Sequence, residues 1–363
     1  MRPKRAAFAV GGTAGHVLPA LAVATELREA APSWSLLFVG TGAGFEGKLV
    51  PGAGFPLRLV PGAAFQRTSV VGKLRAIAVL PAGIVAARRL LEEEQIEIVV
   101  GFGGFATVPT LLAARSLGLK TAIHEANVDL GLANRRLAPL VDRVWFGVDL
   151  PDGLDGPRRL AIGTPVMPAI RALASRPLEP PPPDGIFHVL VLSGSDPSRF
   201  LDERLPSLLA RVARQAGPIS VRHQSGGPPE RVRAAYASAG IAAEVSRFFD
   251  DVAEGLGDSG LVVTRAGGGA LAELAVVGRP ALLVPLAEAA ESHQSRNASV
   301  FAERTGVWRV EESDWREEEL AALVAGLRRD PVDWVRRATS VRAEWAAGAA
   351  ARVAREILDL ASR

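Results

Sequence analysis

The chain has 363 residues, of which 48% are hydrophobic and 22% are charged, and its formal net charge is +3 at pH 7. This composition excludes a disordered chain and is typical of a globular protein long enough for two domains. The sequence contains no cysteine, which excludes disulfides, iron–sulfur clusters, cysteine-ligated zinc and a cysteine nucleophile.

Short apolar runs alternate with longer amphipathic segments in the first part of the chain. We predict strands at residues 6–10, 35–39, 96–100, 120–124, 144–146 and 159–162, with one helix at about 18–30 and another ending near 117. The strands lack polar alternation and are separated by helices, so we expect a parallel sheet covered on both faces.

A proline-rich segment then interrupts this pattern. Residues 176–185 contain five prolines, which exclude a helix or a central strand. We therefore expect an N-terminal domain at 1–163 and a linker region at 164–186. A C-terminal domain follows at 187–340, and a terminal helix at 341–363 can return to the N-terminal domain.

The alternation resumes after the prolines. Strands are predicted at 187–192, 219–223, 243–246, 261–264 and 280–284, and the last 45 or so residues are predicted to be helical throughout. The pattern therefore predicts two doubly wound α/β domains. Ligands of such sheets bind at the carboxyl ends of the strands, so the residues that follow each strand are the candidate site residues.

Two glycine-rich turns follow strands of the first domain. Gly11-Gly-Thr-Ala-Gly-His16 lets backbone N–H groups approach a ligand and places His16 where a general base is useful; the alternative is a tight turn with an exposed histidine. Gly101-Phe-Gly-Gly-Phe-Ala106 fits Gly-x-Gly-x-x-Ala, and Glu125 lies 19 residues beyond it. That spacing also admits a nicotinamide-dependent oxidoreductase.

Polar residues follow three further strands. His124-Glu-Ala-Asn127 combines donors and acceptors suited to carbohydrate hydroxyls, or is a polar turn. In the second domain, Ser193-Gly-Ser-Asp196 and Arg265-Ala-Gly-Gly-Gly-Ala270 predict a diphosphate site, because the latter opens a helix. Glu273 is placed to hold a ribose diol, and the polar segment 291–297 to contact a sugar.

One segment of the first domain combines apolar and basic residues. Residues 70–91 can lie on an anionic membrane surface or form an ordinary helix packed on the sheet, and Pro81 and Gly83 argue against one unbroken helix. No stretch of about 18 apolar residues is present, and the apolar run at 6–10 is too short for a signal peptide. We find no basic stripe with interleaved aromatics, so we expect no nucleic-acid partner.

The order and spacing of many short motifs resemble the MurG family of peptidoglycan glycosyltransferases. The resemblance runs nearly from end to end. The matching segments are 11–16, 19–22, 40–46, 49–51, 103–109, 124–127, 131–134, 163–166, 193–195, 223–226, 248–251, 265–267, 272–274 and 293–298.

The resemblance implies the GT-B fold, with two Rossmann-like domains facing across a cleft, and inverting transfer of N-acetylglucosamine without a protein-bound metal or cofactor. It implies that the C-terminal domain binds UDP-N-acetylglucosamine. Glu273 would hold the ribose and Phe248 would lie by the uracil. The other implied donor residues are Ser195, Arg265, Gly267 and Gly268 near the diphosphate, and Gln294 and His293 near the sugar.

The resemblance also implies that the N-terminal domain binds the undecaprenyl-linked muramyl pentapeptide. His16 is the first candidate for the base that activates the acceptor 4-hydroxyl, and Glu125 is the second. The implied location is the cytoplasmic face of the membrane, with anionic lipids and cell-wall assembly proteins as further partners. The implied acceptor-binding residues are Thr13, Gly15, Gly103, Gly104, Asn127 and Asn134.

Departures from the family pattern lie mostly around the donor diphosphate. Pro197 removes an N–H donor from one turn, Met167 replaces a cation, and Gly269-Ala270 replaces two hydroxyl residues. Glu288 stands where the family has histidine. These differences keep two alternatives open: a paralogous transferase with another donor or acceptor, and a non-catalytic scaffold.

Overall fold

The computed structural model describes residues 4–62, 70–148, 156, 158–194, 198–286 and 293–363, with the backbone alone at 70–77, 344 and 345. The chain forms two compact units. The first contains Met1–Met167 and Trp345–Arg363, and the second contains Pro168–Glu344. The segment 168–186, predicted as part of a linker, therefore falls in the second unit.

The first unit is built on a seven-stranded sheet in which all described neighbours pair in parallel, in the order β3-β2-β1-β4-β5-β6-β7. Its elements are β1 (Arg5–Ala9), α1 (Ala14–Ala30), β2 (Ser35–Gly40), α2 (Glu46–Gly52), β3 (Leu57–Leu59), α3 (Val70–Glu93), β4 (Ile98–Gly101), α4 (Thr107–Ser116), β5 (Lys120–Glu125), α5 (Leu132–Leu137), β6 (Arg143–Phe146) and β7 (Arg159–Ala161).

The second unit holds a six-stranded parallel sheet in the order β10-β9-β8-β11-β12-β13. Its elements are α6 (Pro168–Ala172), β8 (Phe187–Leu192), α7 (Arg199–Ala216), β9 (Ile219–Gln224), α8 (Pro229–Ser238), β10 (Ala242–Ser246), α9 (Val252–Asp258), β11 (Leu261–Thr264), α10 (Gly268–Val277), β12 (Ala281–Leu283), α11 (His293–Thr305), β13 (Trp308–Arg309), α12 (Glu317–Arg329) and α13 (Pro331–Val341). The chain ends with α14 (Glu344–Ala347) and α15 (Ala349–Ser362).

Apolar side chains cover both faces of the first sheet. Phe8 belongs to a core that includes Val353 and Ile357 of α15, whereas Ala7 and Ala9 belong to the core on the opposite face. This split follows from the two-residue period of a strand. The terminal helix is also held by Arg352, whose Nε donates to the Ile162 carbonyl at 3.0 Å. It therefore packs within the first unit.

The predicted break in the 70–91 segment is wrong, because α3 continues through Pro81. A proline inside a helix leaves a carbonyl without its usual donor, so packing has to offset that loss. A Cβ on Gly83 would lie 2.4 Å from the Pro61 carbonyl oxygen and 3.2 Å from Cβ of Pro109. Gly83 is therefore a point of close packing and not a helix breaker.

Three further differences concern the bounds of elements. Helix α1 begins at Ala14 and not near residue 18, which places His16 inside its first turn. The C-terminal region forms four helices, because the Asp330 side chain accepts from Val332 and Asp333 N–H groups and starts α13 anew. The short strands β3 and β13 were not predicted. In the part of the chain that the structure describes, no helix is long and apolar enough to cross a membrane.

Candidate active-site residues

His16 lies in the first turn of α1 and is half-buried. Its Nδ1 is 3.1 Å from the Gly11 carbonyl oxygen and 3.2 Å from Oγ1 of Thr13. A carbonyl oxygen only accepts hydrogen bonds, so this contact favours the tautomer with the proton on Nδ1. The structure gives Nε2 no hydrogen-bond partner among the described residues. Neutral His16 therefore presents a basic nitrogen.

Two glycines of the loop after β4 press against this turn. A Cβ on Gly103 would lie 2.8 Å from Nε2 of His16, and one on Gly104 would lie 2.1 Å from the Gly11 carbonyl oxygen. Both have positive φ, of 99° and 86°, which side chains rarely adopt. The structure thus brings Gly103 and Gly104 together with His16, and Gly15 stands exposed beside them.

Glu125, the second candidate base, is the last residue of β5 and is only 5% exposed. Its Oε1 accepts from the backbone N–H of Asn127 at 3.1 Å and from Nδ2 of Asn127 at 2.8 Å. Its Oε2 accepts from Gly131 N–H at 3.0 Å and from Nδ2 of Asn134 at 2.9 Å. Both oxygens are engaged, so this carboxylate organises the loop 126–134.

The neighbouring His124 is buried and stacks on Phe102, with ring centroids 5.4 Å apart. Its Nε2 lies 2.9 Å from the Gly163 carbonyl oxygen. Burial lowers the pKa of His124, because desolvation disfavours the charged ring. This histidine therefore joins β5 to the segment after β7 as a neutral side chain.

Glu46 was given no role in the sequence analysis, although it lies in a matching motif. It is the first residue of α2 and fully buried. Its carboxylate accepts from Gly12 N–H at 3.1 Å and from Gly42 N–H at 3.1 Å. The sequence contains one signal for this role. Glu46 is a carboxylate that closely follows a glycine-containing turn at the carboxyl end of a strand, and a buried carboxylate needs the N–H donors that such a turn offers.

In the second unit, the glycine-rich segment after β11 opens α10. Gly267 caps the helix, and Gly268, Gly269 and Ala270 form its first turn. The first N–H groups of a helix have no partner within the helix. A Cβ on Gly267 or on Gly269 would meet nothing within 4 Å. This turn is therefore open and presents N–H donors, as an anion site requires.

Glu273 lies further along α10 and makes no hydrogen bond or ion pair with the described residues. Burial raises the pKa of its carboxyl group to about 7, because the charged form loses hydration. Near neutral pH both protonation states are populated. The group can therefore accept a hydrogen bond or donate one, and the hydroxyls of a diol can be partners for either.

Arg265 is 3% exposed, and its guanidinium is used within the unit. It donates to Oγ of Ser198 at 2.7 Å and to the Val284 carbonyl at 2.9 Å, and it pairs with Glu312 at 2.6 Å. Ser198 in turn caps α7. Arg265 therefore joins the segment that opens α10 to the start of α7 and to the segments that follow β12 and β13.

Phe248, His293 and Gln294 lie in segments that follow strands of the second sheet. Gln294 accepts from Leu286 N–H at 3.1 Å and so holds the segment after β12. Phe248, after β10, is half-buried, and its carbonyl accepts from Oγ of Ser246 at 2.7 Å. His293 begins α11. Ser195, Pro197 and Glu288 lie outside the described residues.

A buried polar chain, which the sequence analysis did not predict, supports the loop after β9. His223 lies 2.8 Å from the hydroxyl of Tyr236 and 3.2 Å from Oδ1 of Asp202. Asp202 also accepts from Gly226 and Gly227 N–H groups. Although burial opposes it, these hydrogen bonds hold the pKa of Asp202 below its usual value. Among the described residues, no group of three or more His, Asp or Glu side chains is placed to hold a metal.

Solved structures define the class of protein to which this fold belongs. The crystal structure of Acinetobacter baumannii MurG superposes with a TM-score of 0.75 at 25% identity, covering 98% of this chain and all (100%) of that one. The calicheamicin glycosyltransferase CalG4 gives 0.68 at 16% identity, over 100% and 99% of the two chains. Two Rossmann-like parallel-sheet domains of this kind are those of a GT-B glycosyltransferase, which confirms the predicted fold class.

Family profiles and curated relatives narrow the class. The glycosyltransferase family 28 N-terminal domain matches residues 6–146, and the family 28 C-terminal domain matches 188–353. A protein of Sorangium cellulosum (strain So ce56) is 38% identical over 98% of this chain and 88% of its own length. One of Nitratidesulfovibrio vulgaris (strain Hildenborough) is 37% identical over 98% of each chain.

Both relatives are named UDP-N-acetylglucosamine–N-acetylmuramyl-(pentapeptide) pyrophosphoryl-undecaprenol N-acetylglucosamine transferase. The chain belongs to this MurG family, within glycosyltransferase family 28. The resemblance inferred from the motifs is thereby confirmed. Membership in this family replaces the alternative of a nicotinamide-dependent oxidoreductase. Gly103 and Gly104 pack against the His16 turn.

Proposed function

We propose that this protein transfers N-acetylglucosamine from UDP-N-acetylglucosamine to the 4-hydroxyl of the undecaprenyl-pyrophosphoryl muramyl pentapeptide, with inversion at the sugar carbon. Relatives with this name at 37–38% identity over nearly the whole chain support the substrates. The observation that carries the chemistry is the geometry of His16: its Nδ1 faces the Gly11 carbonyl, and its Nε2 has no hydrogen-bond partner in the part of the chain that the structure describes.

In the proposed reaction, the acceptor 4-hydroxyl oxygen attacks C1 of N-acetylglucosamine. Its proton passes to Nε2 of His16, which needs a hydroxyl within hydrogen-bond reach. The bond from C1 to the diphosphate oxygen breaks, and its electron pair leaves with UDP. The positive charge that forms on the His16 imidazole is stabilised by the Gly11 carbonyl oxygen and Oγ1 of Thr13, which both face Nδ1.

Donor binding is proposed at the α10 turn. The open N–H groups of 268–270 and the positive end of the helix dipole suit a diphosphate and the negative charge that grows on it as UDP leaves. Glu273 is proposed to bind the ribose diol. Arg265 and Gln294 are proposed to act by holding the surrounding segments in place, because their polar atoms already bond to neighbouring backbone.

Acceptor binding is proposed at the His16 turn, with Thr13, Gly15, Gly103 and Gly104 contributing. Glu125, Asn127 and Asn134 are proposed to shape the adjacent loop, because their hydrogen bonds join one another. His16, and not Glu125, is the proposed base. An N–H donor would have to leave Glu125 before either of its oxygens could take a proton.

We also propose a peripheral site of action at the cytoplasmic face of the membrane, on anionic lipids. Support comes from the second half of α3, where Val85 is 50% exposed and stands near the exposed Arg88 and Arg89. An apolar surface flanked by basic residues binds anionic leaflets. Cosedimentation with phosphatidylglycerol vesicles, and its loss in high salt, tests this point.

Calorimetric titration with UDP, UDP-N-acetylglucosamine, UDP-glucose and NADH tests the donor assignment. The proposal predicts that UDP-N-acetylglucosamine binds more tightly than UDP-glucose and that NADH does not bind. Equal binding of the two sugar nucleotides would favour a paralogous transferase. No binding of any uridine ligand would favour a non-catalytic scaffold.

A further inference from the structure

Glu46 stands at the junction of two turns in the first unit. Its Oε1 accepts three hydrogen bonds from the turn after β2, from Thr41 N–H at 3.3 Å, Thr41 Oγ1 at 3.2 Å and Gly42 N–H at 3.1 Å. Its Oε2 accepts one from the other turn, from Gly12 N–H at 3.1 Å. The side chain is fully buried, so these four donors take the place of water.

Other neighbours also enclose the backbone of Gly12. The carbonyl oxygen of Gly12 accepts from Phe45 N–H at 3.2 Å. A Cβ on Gly44 would lie 2.4 Å from that same oxygen, and a Cβ on Gly104 would lie 2.1 Å from the Gly11 oxygen. The turn is therefore closely packed on both sides, and Glu46 supplies the hydrogen bond that fixes Gly12 within it.

The adjoining peptide is the one that orients His16. The Gly11 carbonyl oxygen faces Nδ1 of His16 at 3.1 Å, and Gly11 and Gly12 share a planar peptide unit. The N–H of that unit belongs to Gly12 and the C=O to Gly11. Glu46 holds the N–H end of one rigid plane, and His16 bonds to its C=O end.

We infer that Glu46 is a positioning residue for the base His16: through the Gly11–Gly12 peptide it keeps the proton on Nδ1 and leaves Nε2 free to accept one. This inference rests on the proposed role of His16. Glu46 does not touch a substrate in the proposed reaction. A ligand-binding histidine is commonly oriented by a second hydrogen bond in the same way.

Glu46→Gln separates this role from simple burial. The amide keeps its volume but has a single acceptor oxygen. We expect the amide oxygen to face the three donors of Thr41 and Gly42, because this arrangement keeps the most hydrogen bonds. The NH2 group then faces the Gly12 N–H, from which it cannot accept a hydrogen bond. The substitution therefore breaks the Gly12 bond selectively and frees the peptide that orients His16.

The tautomer of His16 is the most direct readout. In protein with 15N-labelled histidine, held at pH 8 where an ordinary imidazole is neutral, the wild type is expected to show the proton on Nδ1 of His16. His16→Asn assigns the signal among the five histidines. Glu46→Gln is expected to increase the fraction with the proton on Nε2, without ligands present.

Kinetics provide the second readout. In Glu46→Gln, kcat is expected to fall roughly 10- to 100-fold, as a misplaced catalytic group does, while KM for UDP-N-acetylglucosamine stays unchanged. Asp142→Asn is the matched control. Oδ2 of Asp142 accepts from the N–H and Oγ1 of Thr121 at 2.8 and 2.9 Å, at the opposite end of the sheet. It should alter stability but neither His16 nor kcat.

The outcomes separate the inference from the proposed function. A folded Glu46→Gln protein with unchanged His16 tautomer and kcat overturns the inference. A changed tautomer in a protein that has no transferase activity retains the inference and overturns the function. If Glu46→Gln does not fold, Glu46→Asp decides, because its carboxylate is one methylene shorter and cannot reach the Thr41–Gly42 turn and Gly12 N–H at the same time. A smaller shift in the same direction supports the inference, and no shift overturns it.

Discussion

Nδ1 of His16 lies 3.1 Å from the carbonyl oxygen of Gly11, five residues earlier in the chain. This contact closes the turn between β1 and α1 on itself, and Nε2 has no hydrogen-bond partner among the described residues. The contact favours one tautomer of His16, the one that the proposed base requires. The assignment of His16 over Glu125 depends on this difference between an open and a fully engaged acceptor.

Replacing His16 tests this assignment. His16→Asn should lower kcat by about 10²- to 10⁴-fold, the usual contribution of a general base, and leave UDP affinity unchanged. Steady-state kinetics and calorimetry measure the two effects. His188→Asn is the control, since this histidine is exposed on β8 and its side chain bonds only to Ser220 among the described residues. Unchanged kcat in His16→Asn would contradict the assignment.

Replacing Glu125 separates a base from a loop anchor. Glu125→Gln should lower the free energy of unfolding by about 2 to 4 kcal/mol, because an amide cannot accept from all four donors. Turnover should fall as well, but less than in His16→Asn, because Glu125 acts on the loop and His16 on the hydroxyl proton. Steady-state kinetics and chemical unfolding measure the two effects. A larger loss of kcat in Glu125→Gln than in His16→Asn, with stability unchanged, would make Glu125 the base.

Gly103 tests the packing beside the base. Gly103→Ala should lower kcat roughly tenfold or more and destabilise the fold by about 1 to 2 kcal/mol, since its Cβ would meet the His16 ring and its φ is 99°. Gly52→Ala is the matched control, because a Cβ there would meet nothing within 4 Å. Equal kcat in the two variants would mean that the ring has room to move.

The raised pKa of Glu273 predicts a specific pH dependence of stability. In the folded protein this pKa is about 7, against 4.5 ordinarily. The folded state therefore binds more protons between these values, and its stability falls as pH rises through that window. Glu273→Gln should remove this part of the loss and be more stable than wild type at pH 8, by about 1 to 3 kcal/mol.

The same variant should bind UDP more weakly, since the ribose loses a carboxylate partner. Chemical unfolding at pH 5 and at pH 8, together with calorimetry, measures both effects. A destabilised Glu273→Gln protein at pH 8 would mean that the carboxylate has a stabilising partner. Glu303→Gln, at an exposed position on α11, provides the baseline.

The sequence was sufficient for the two parallel sheets and for most strand positions. Buried parallel strands contain continuous apolar runs, such as 189–192 and 261–263, and such runs are visible in a single sequence. The start of α1 was missed, because its N-cap Thr13 and its first residues Ala14 and Gly15 lie inside a glycine-rich segment that was interpreted as a turn. The continuity of α3 was missed, because it depends on Gly83 meeting Pro61 and Pro109.

The roles of the buried carboxylates were harder to predict from the sequence. Glu125 was predicted as a candidate base, but its four donors come from a loop whose path a strand pattern does not specify. Glu46 and Asp202 each accept from glycine N–H groups of a turn distant in sequence. Arg265 was predicted at the donor diphosphate, but tertiary contacts with Ser198 and Glu312 use its guanidinium.

A transfer assay with a short-chain analogue of the muramyl pentapeptide pyrophosphoryl lipid tests the proposed reaction itself. Purified wild-type protein is supplied with UDP-N-acetylglucosamine or UDP-glucose, and disaccharide and UDP are quantified together. We expect one UDP for each β-linked disaccharide, a clear preference for UDP-N-acetylglucosamine, and loss of product in His16→Asn. No disaccharide from either donor, or equal transfer from both, would contradict the proposed reaction.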